Sequence, residues 1–185
     1  IRQFLDILAI SLFMALAFRG IGCFLNGCCF GKPSKVPWAV RFPYYSIVYH
    51  HQVEAEPARG RAEPYLKLPD DFYYENKTGQ ITRILKPYNE LTSLQRNTVN
   101  NGQYMALTVH PTQLYSSLIA AANCFILFLL WKSSQKLKPF LKPGFVFGMM
   151  FILYGIPRFF IEFLRDDNPF VFDGLTISQI ISIIM

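Results

Sequence analysis

From Gln113 to Trp131 the chain carries no charged side chain, and Ala, Ile, Leu and Phe dominate it. A helix needs about 20 residues to cross roughly 30 Å of hydrocarbon, and this run supplies nearly that. Similar runs cover Phe4 to Phe18, continuing less cleanly to Phe30, and Gly144 to Leu164. Hydrophobic residues make up 52% of the 185 and charged residues only 16%. Because the apolar residues are blocked rather than dispersed, the three runs read as membrane spans A, B and C. A fourth, D, starts near Leu175 and is too short to cross before Met185.

The fold expected is therefore all-α: a polytopic integral membrane protein, a helical bundle with a mixed extracytoplasmic insert between the first two spans. Residues 1–32 hold span A and its polar end, and 33–109 the insert. Span B covers 110–131, a cytoplasmic loop 132–143, span C 144–165, an external loop 166–174 and the start of span D 175–185. Sidedness comes from the short loops. Lys132, Lys136, Lys138 and Lys142 stand in a loop without an acid, which places it in the cytoplasm. Asp166, Asp167 and Asp173 mark the opposite side. The net charge of +6 then reflects cytoplasmic Lys and Arg and anionic lipid. No basic helix or RNA-binding motif is present, which argues against nucleic acid as a partner. No small-residue cleavage site follows the first run, so it is not a signal peptide. Starting at Ile1 and stopping inside an apolar run, the chain reads as cut from something longer at both ends.

This topology brings three polar clusters to one face of the membrane. The first is Arg19-Gly20-Ile21-Gly22-Cys23-Phe24-Leu25-Asn26-Gly27-Cys28-Cys29-Phe30-Gly31. Its glycines permit close backbone approach, and Arg19 and Asn26 offer donors to phosphate or ester oxygens; a glycine-packed helix end with a snorkelling Arg is the plainer alternative. The second, His110-Pro111-Thr112-Gln113-Leu114-Tyr115, opens span B. His110 is a candidate proton carrier, or a structural residue at the helix start. The third is Tyr154, Arg158 and Glu162, spaced i, i+4, i+8 on one helix face. A charge at membrane depth costs about 2.5–3.5 kcal/mol, so Arg158 and Glu162 either merely pair with each other or form an anion site. In the second case Arg158 holds a phosphate and Glu162 orients it or accepts a proton. Pro157 weakens the helix between them.

Cys23, Cys28, Cys29 and Cys124 are the four cysteines. The C-x4-CC spacing fits a zinc site poorly, since such sites favour C-x2-C pairs and a fourth ligand. Tight packing of thiols at a helix end is the favoured reading. A thiol-redox role for Cys28 and Cys29 is weak, because vicinal cysteines form only a strained disulfide.

The first cluster resembles the signature of the prolipoprotein diacylglyceryl transferase family, G-R-x-G-[NC]-F-x-N-G followed by an aromatic and a Gly. The resemblance continues in order. Pro37-Trp38-Ala39-Val40-Arg41-Phe42-Pro43 is similar to P-W-G-V-x-F-P, and His110 to Tyr115 to H-P-[ST]-Q-L-Y. Tyr154-Gly155-x-x-Arg158-Phe159-x-x-Glu162-Phe163-x-Arg165 is similar to Y-G-x-x-R-F-x-x-E-F-x-R, and Leu175 to Gln179 to L-[TS]-x-[GS]-Q. There are departures. The family's signature Arg falls on Gly20 and the preceding Gly on Arg19, Ser116 stands where Glu is usual, and the family's His-Gly-Gly motif lies upstream of the matching region and is absent here. The resemblance implies an enzyme of the bacterial plasma membrane, multi-pass, with its site on the extracytoplasmic side. It implies phosphatidylglycerol as donor and the lipobox cysteine of a prolipoprotein signal peptide as acceptor. It implies no metal and no organic cofactor. Carried onto this chain, Arg158, Glu162 and His110 are the catalytic candidates, and Arg19, Gly20, Asn26, Gly31 and Tyr154 the substrate-binding ones. The alternative is a catalytically inactive homologue that binds lipid or signal peptide on the same scaffold.

Overall fold

The computed structural model describes residues 1–75, 81–136, 143–172 and 174–184, without the side chains of 81–83 and 135–136. Most of the Lys-rich loop, at 137–142, lies outside the described residues, as do Asp173 and Met185. In chain order, α1 is Arg2–Asn26 and α2 is Ile47–Val53. Strands β1 (Tyr73–Glu75) and β2 (Ile81–Leu85) follow, then α3 (Ser93–Asn101), α4 (Thr112–Lys136), α5 (Phe145–Leu164) and α6 (Ile177–Ile184). The protein is mostly helical. Among the described residues, α1, α4 and α5 are long and apolar enough to cross a membrane. Phe18, Leu118, Phe125, Phe160 and Phe163 on their outer faces are exposed, as lipid-facing side chains would be.

Helices α1 and α4 run antiparallel in close contact. The Ser117 hydroxyl donates to the Ala17 carbonyl at 2.6 Å, and further along the Cys124 thiol donates to that of Ile10 at 3.5 Å. Gly20 is what permits this approach. A Cβ there would lie 2.7 Å from Ser117 Cβ and 2.8 Å from the Gln113 carbonyl oxygen. Small residues at such contacts are how membrane helices reach backbone distance. Phe13, Leu127 and Val146 join Ala9 and Ala120 in the core between the three spans.

Asp6, one turn into α1, is 5% exposed despite its charge. Its carboxylate accepts from the backbone N–H groups of Gly144 and Phe147, both at 2.9 Å. The first turn of α5 has N–H groups with no partner inside the helix, and an acid there also meets the positive end of the helix dipole. Asp6 therefore caps a different helix from its own and sets α5 alongside α1. Asp6→Ala should cost about 1–2 kcal/mol, the upper range for lost caps. It should lower the thermal midpoint in detergent, and Asp6→Asn should lower it less. An unchanged midpoint in Asp6→Ala would show that water replaces the cap without cost.

Between α1 and α4, residues 33–109 build their own core from Tyr44, Tyr49, Val53, Phe72, Leu85 and Val99. The strands β1 and β2 pair as an antiparallel hairpin on it. Buried Gln52 stitches it from the other side, donating to the Leu107 carbonyl at 3.0 Å and accepting the Leu107 N–H at 2.8 Å. Arg59 and Arg61 fasten this unit to the end of α5. Arg59 donates to the carbonyls of Arg165 at 2.7 Å and of Asn168, and Arg61 sits 3.5 Å from Asp166. Burial pushes the Asp166 carboxyl above its ordinary pKa, even with Arg61 and Arg59 opposing.

Candidate functional site

The signature segment ends α1 and then turns back on itself. Gly27 adopts the left-handed conformation at φ 72° and stops the helix, and the Cys28 N–H donates back to the Cys23 carbonyl at 3.1 Å. Cys29 is also left-handed, at φ 58°, an uncommon state for a residue with a Cβ. The second cluster holds it there. Gln113 Nε2 donates to the Cys28 carbonyl and Thr112 Oγ1 to the Cys29 carbonyl, each at 2.7 Å. Next, the Gly31 N–H donates to the His110 carbonyl at 3.0 Å, and the Lys32 N–H to that of Leu164 at 2.8 Å. A Cβ on Gly31 would stand 2.7 Å from His110 Cβ and 2.8 Å from both carbonyl oxygens, so a side chain there would force these segments apart. Residues 27–32 are thus wedged between the start of α4 and the end of α5.

On α5, Pro157 has no N–H to offer the carbonyl of Leu153, four residues back. Asn123 of α4 replaces it, donating Nδ2 to that carbonyl at 2.7 Å. Re-satisfying the freed group from a neighbouring helix makes the proline tolerable in a span. At the next residue, Arg158 Nη1 sits 2.9 Å from Glu162 Oε2, an ion pair without hydrogen-bond alignment. Arg158 Nη2 donates to Ser178 Oγ of α6 at 2.7 Å. Glu162 is buried and also accepts from Asn168 Nδ2 at 2.5 Å. Arg165 donates a fork to Asp167 at 2.8 and 2.6 Å. Burial opposes the Arg165 charge, but Asp167 outweighs it and raises its pKa.

These pieces enclose a cleft of about 640 Å³, its open mouth included, between α1, α4 and α5. Arg19, Arg158 and Arg165 line one end with Cys23, Cys29 and Gln113. Phe13, Leu16, Ile119 and Leu153 line it further along the bundle. A cleft with guanidinium groups at the helix ends and apolar walls deeper in suits an amphiphile with an anionic head.

Of the residues singled out in the sequence, Arg19, Gly20, Tyr154 and Arg158 line this cleft together. Glu162 stands behind Arg158 rather than on the wall. Gly31 and His110 pack against each other beside it; the His110 Nδ1 is 3.3 Å from Tyr115 Oη, which accepts from Trp38 Nε1 at 2.7 Å. Asn26 is exposed at the end of α1. Burial works against the Cys28 thiolate, but hydrogen bonds from Asn26, Cys23 and Cys29 outweigh it and lower its pKa. Arg165, Gln113 and Ser178 stood in the sequence only as parts of motifs, not as site residues, and Asn123 was not singled out. Arg165 had a legible signal, since 158, 162 and 165 follow helical spacing. The others depend on which helices become neighbours.

Fold and cleft together define a multi-pass membrane protein with an arginine-lined cavity between its spans. The chain belongs to the prolipoprotein diacylglyceryl transferase family, whose sequence profile matches residues 1–185. It is 30% identical over 183 residues to the phosphatidylglycerol–prolipoprotein diacylglyceryl transferase of Clostridium tetani, covering 99% of this chain and 49% of that protein. It is 34% identical over 129 residues to the one from Buchnera aphidicola, covering 68% and 41%. Over 85 residues it is 39% identical to that of Enterococcus faecalis, covering 46% and 28%. The chain thus spans at most about half the length of these curated relatives. No solved structure matches it.

Proposed function

We propose that the protein to which this chain belongs transfers the diacylglyceryl group of phosphatidylglycerol to the lipobox cysteine thiol of a prolipoprotein. The convergence of Arg19, Arg158 and Arg165 on a cleft with apolar walls is the observation that carries this reading. In the reaction, the acceptor thiolate forms a bond to the terminal glycerol carbon of the diacylglyceryl group. The bond from that carbon to the phosphate oxygen breaks, and glycerol phosphate leaves with the electron pair. The thiolate is the nucleophile and belongs to the substrate. The charge that develops is on phosphate, where a planar guanidinium can donate two parallel hydrogen bonds. Arg158 and Arg19 hold that group, and Tyr154 lies beside it. Glu162, locked between Arg158 and Asn168, positions the guanidinium. His110 is the other candidate proton acceptor in this chain. The site faces the extracytoplasmic side of the bacterial plasma membrane, with the Lys-rich loop in the cytoplasm.

The test is transfer of labelled diacylglyceryl from phosphatidylglycerol to a lipobox peptide by the purified full-length protein in detergent. Label on the peptide cysteine, stable to thiol reduction, is the expected result. Phosphatidylglycerol binding without any transfer would establish the inactive lipid-binding homologue instead.

A further inference from the structure

The cysteine spacing counted against a metal, yet the fold brings the three thiols together. The sulfurs of Cys23, Cys28 and Cys29 all lie within 4.8 Å of one another. Cys23 is on the last turn of α1, and Cys28 and Cys29 come back toward it because Gly27 and Cys29 take left-handed conformations in succession with one residue between them. Vicinal cysteines in an extended or helical segment point apart; here the turn converges them. We propose that Cys23, Cys28 and Cys29 form a three-thiolate binding site for a soft d10 cation, represented by Zn2+, on the wall of the cleft.

Three sulfurs about 2.3 Å from one zinc ion stand roughly 3.8 Å apart, so closing this triangle takes shifts of about an ångström. The loop that carries two of them is built to stay in place, since its carbonyls at Cys28 and Cys29 are held by Gln113 and Thr112 at 2.7 Å each. Charge balance also favours it. Three thiolates and a divalent ion leave one negative charge, and Arg19 and Arg165 line the same end of the cleft as Cys23 and Cys29. Among the described residues no fourth Cys, His, Asp or Glu joins the group. A set of three protein ligands leaves an open position, which water fills in the resting state. A second feature points to that water. Gln113 is 2% exposed and lines the cleft, and its Oε1 has no hydrogen-bond partner while its Nε2 is committed to Cys28. A buried acceptor left open is costly, and the O–H of a metal-bound water beside the trio supplies the missing donor. Occupancy ties the last turn of α1 to the following loop and so stiffens one wall of the cleft. This site is inferred from the thiol geometry and does not rest on the transfer reaction.

The experiment adds Zn2+ to chelator-treated full-length protein in detergent, under reducing conditions, and maps the thiols it protects from alkylation by mass spectrometry. Protection of Cys23, Cys28 and Cys29 together, with one ion retained per chain after desalting, is expected. Each of Cys23→Ser, Cys28→Ser and Cys29→Ser should lose the retained ion, whereas Cys124→Ser should keep it. With Cd2+ in place of Zn2+, a sulfur-to-metal charge-transfer band should survive desalting in the unsubstituted protein and in Cys124→Ser, and be lost in each of the three single variants. Protection of fewer than these three thiols in the unsubstituted protein overturns the proposal, and so does full retention in any of the three variants. Because no step reads lipid transfer, failure here leaves the transferase reading standing, and failure of transfer leaves this one standing.

Discussion

In the full-length protein, Arg158→Lys is expected to lower the rate of the proposed diacylglyceryl transfer by about 10²–10³, the usual loss when one well-placed transition-state donor is removed. The geometry explains why lysine is no substitute. One guanidinium nitrogen is 2.9 Å from Glu162 and the other 2.7 Å from Ser178, so the planar head is held at two points. That leaves its remaining N–H groups to face the cleft, where Arg158 is partly exposed. An ammonium is a point donor on a flexible stem. It can satisfy Glu162 or a phosphate oxygen, but it cannot brace against both α5 and α6 and still present a fork. Binding of phosphatidylglycerol should weaken much less, because Arg19 and Arg165 remain. The rate is measured on a lipobox peptide at equal protein amounts, with the thermal midpoint as a check on folding. Near-normal turnover with an unchanged midpoint would mean that Arg158 and Glu162 are only a snorkelling ion pair.

The spans were legible because hydropathy and length fix them without knowledge of neighbours. The structure gives α4 as Thr112–Lys136 and α5 as Phe145–Leu164, close to the runs read from the sequence. The i, i+4, i+8 face of Tyr154, Arg158 and Glu162 was legible for the same reason, since helix periodicity alone places it. What the periodicity cannot give is the partner. Asp6 is a lone acid in an apolar run until α5 begins beside it, and only then is it a cap. Pro157 announces a free carbonyl at Leu153, but Asn123 is found only once α4 packs there. Three thiols at C-x4-CC spacing look incompatible until two left-handed residues fold the chain back. Backbone states of that kind are chosen by what surrounds them, here the donors of Thr112 and Gln113, and not by the local residues. The insert could be read only as mixed, because its helices and strands are fixed by a core that gathers residues as far apart as Tyr44 and Ala106.

The order Arg19-Gly20, reversed from the family signature, makes the sharpest test of the helix packing. Restoring the usual order with Arg19→Gly and Gly20→Arg should destabilise this chain by more than about 1–3 kcal/mol, the common range for overpacking. Position 20 faces α4 at backbone distance, and even a Cβ meets Ser117 Cβ at 2.7 Å and the Gln113 carbonyl at 2.8 Å. Neither is the yielding end of a long side chain. To admit arginine, α4 must move away, and Ser117 then loses the 2.6 Å bond to Ala17 and Gln113 its bond to Cys28. Position 19, one step round the helix by about 100°, already opens into the cleft and takes a long side chain there. The transposition is thus consistent with an arginine that reaches the cavity and a glycine that seals the helix contact. Gly20→Ala separates the two effects, since it adds the offending carbon and leaves Arg19 in place. Thermal unfolding in detergent should rank parent above Gly20→Ala, and Gly20→Ala above the swapped pair. Arg19→Gly alone should stay near the parent in stability and lose affinity for phosphatidylglycerol. A swapped pair as stable as the parent would require α1 to rotate by one residue position, and the placement of Gly20 against α4 would then be wrong.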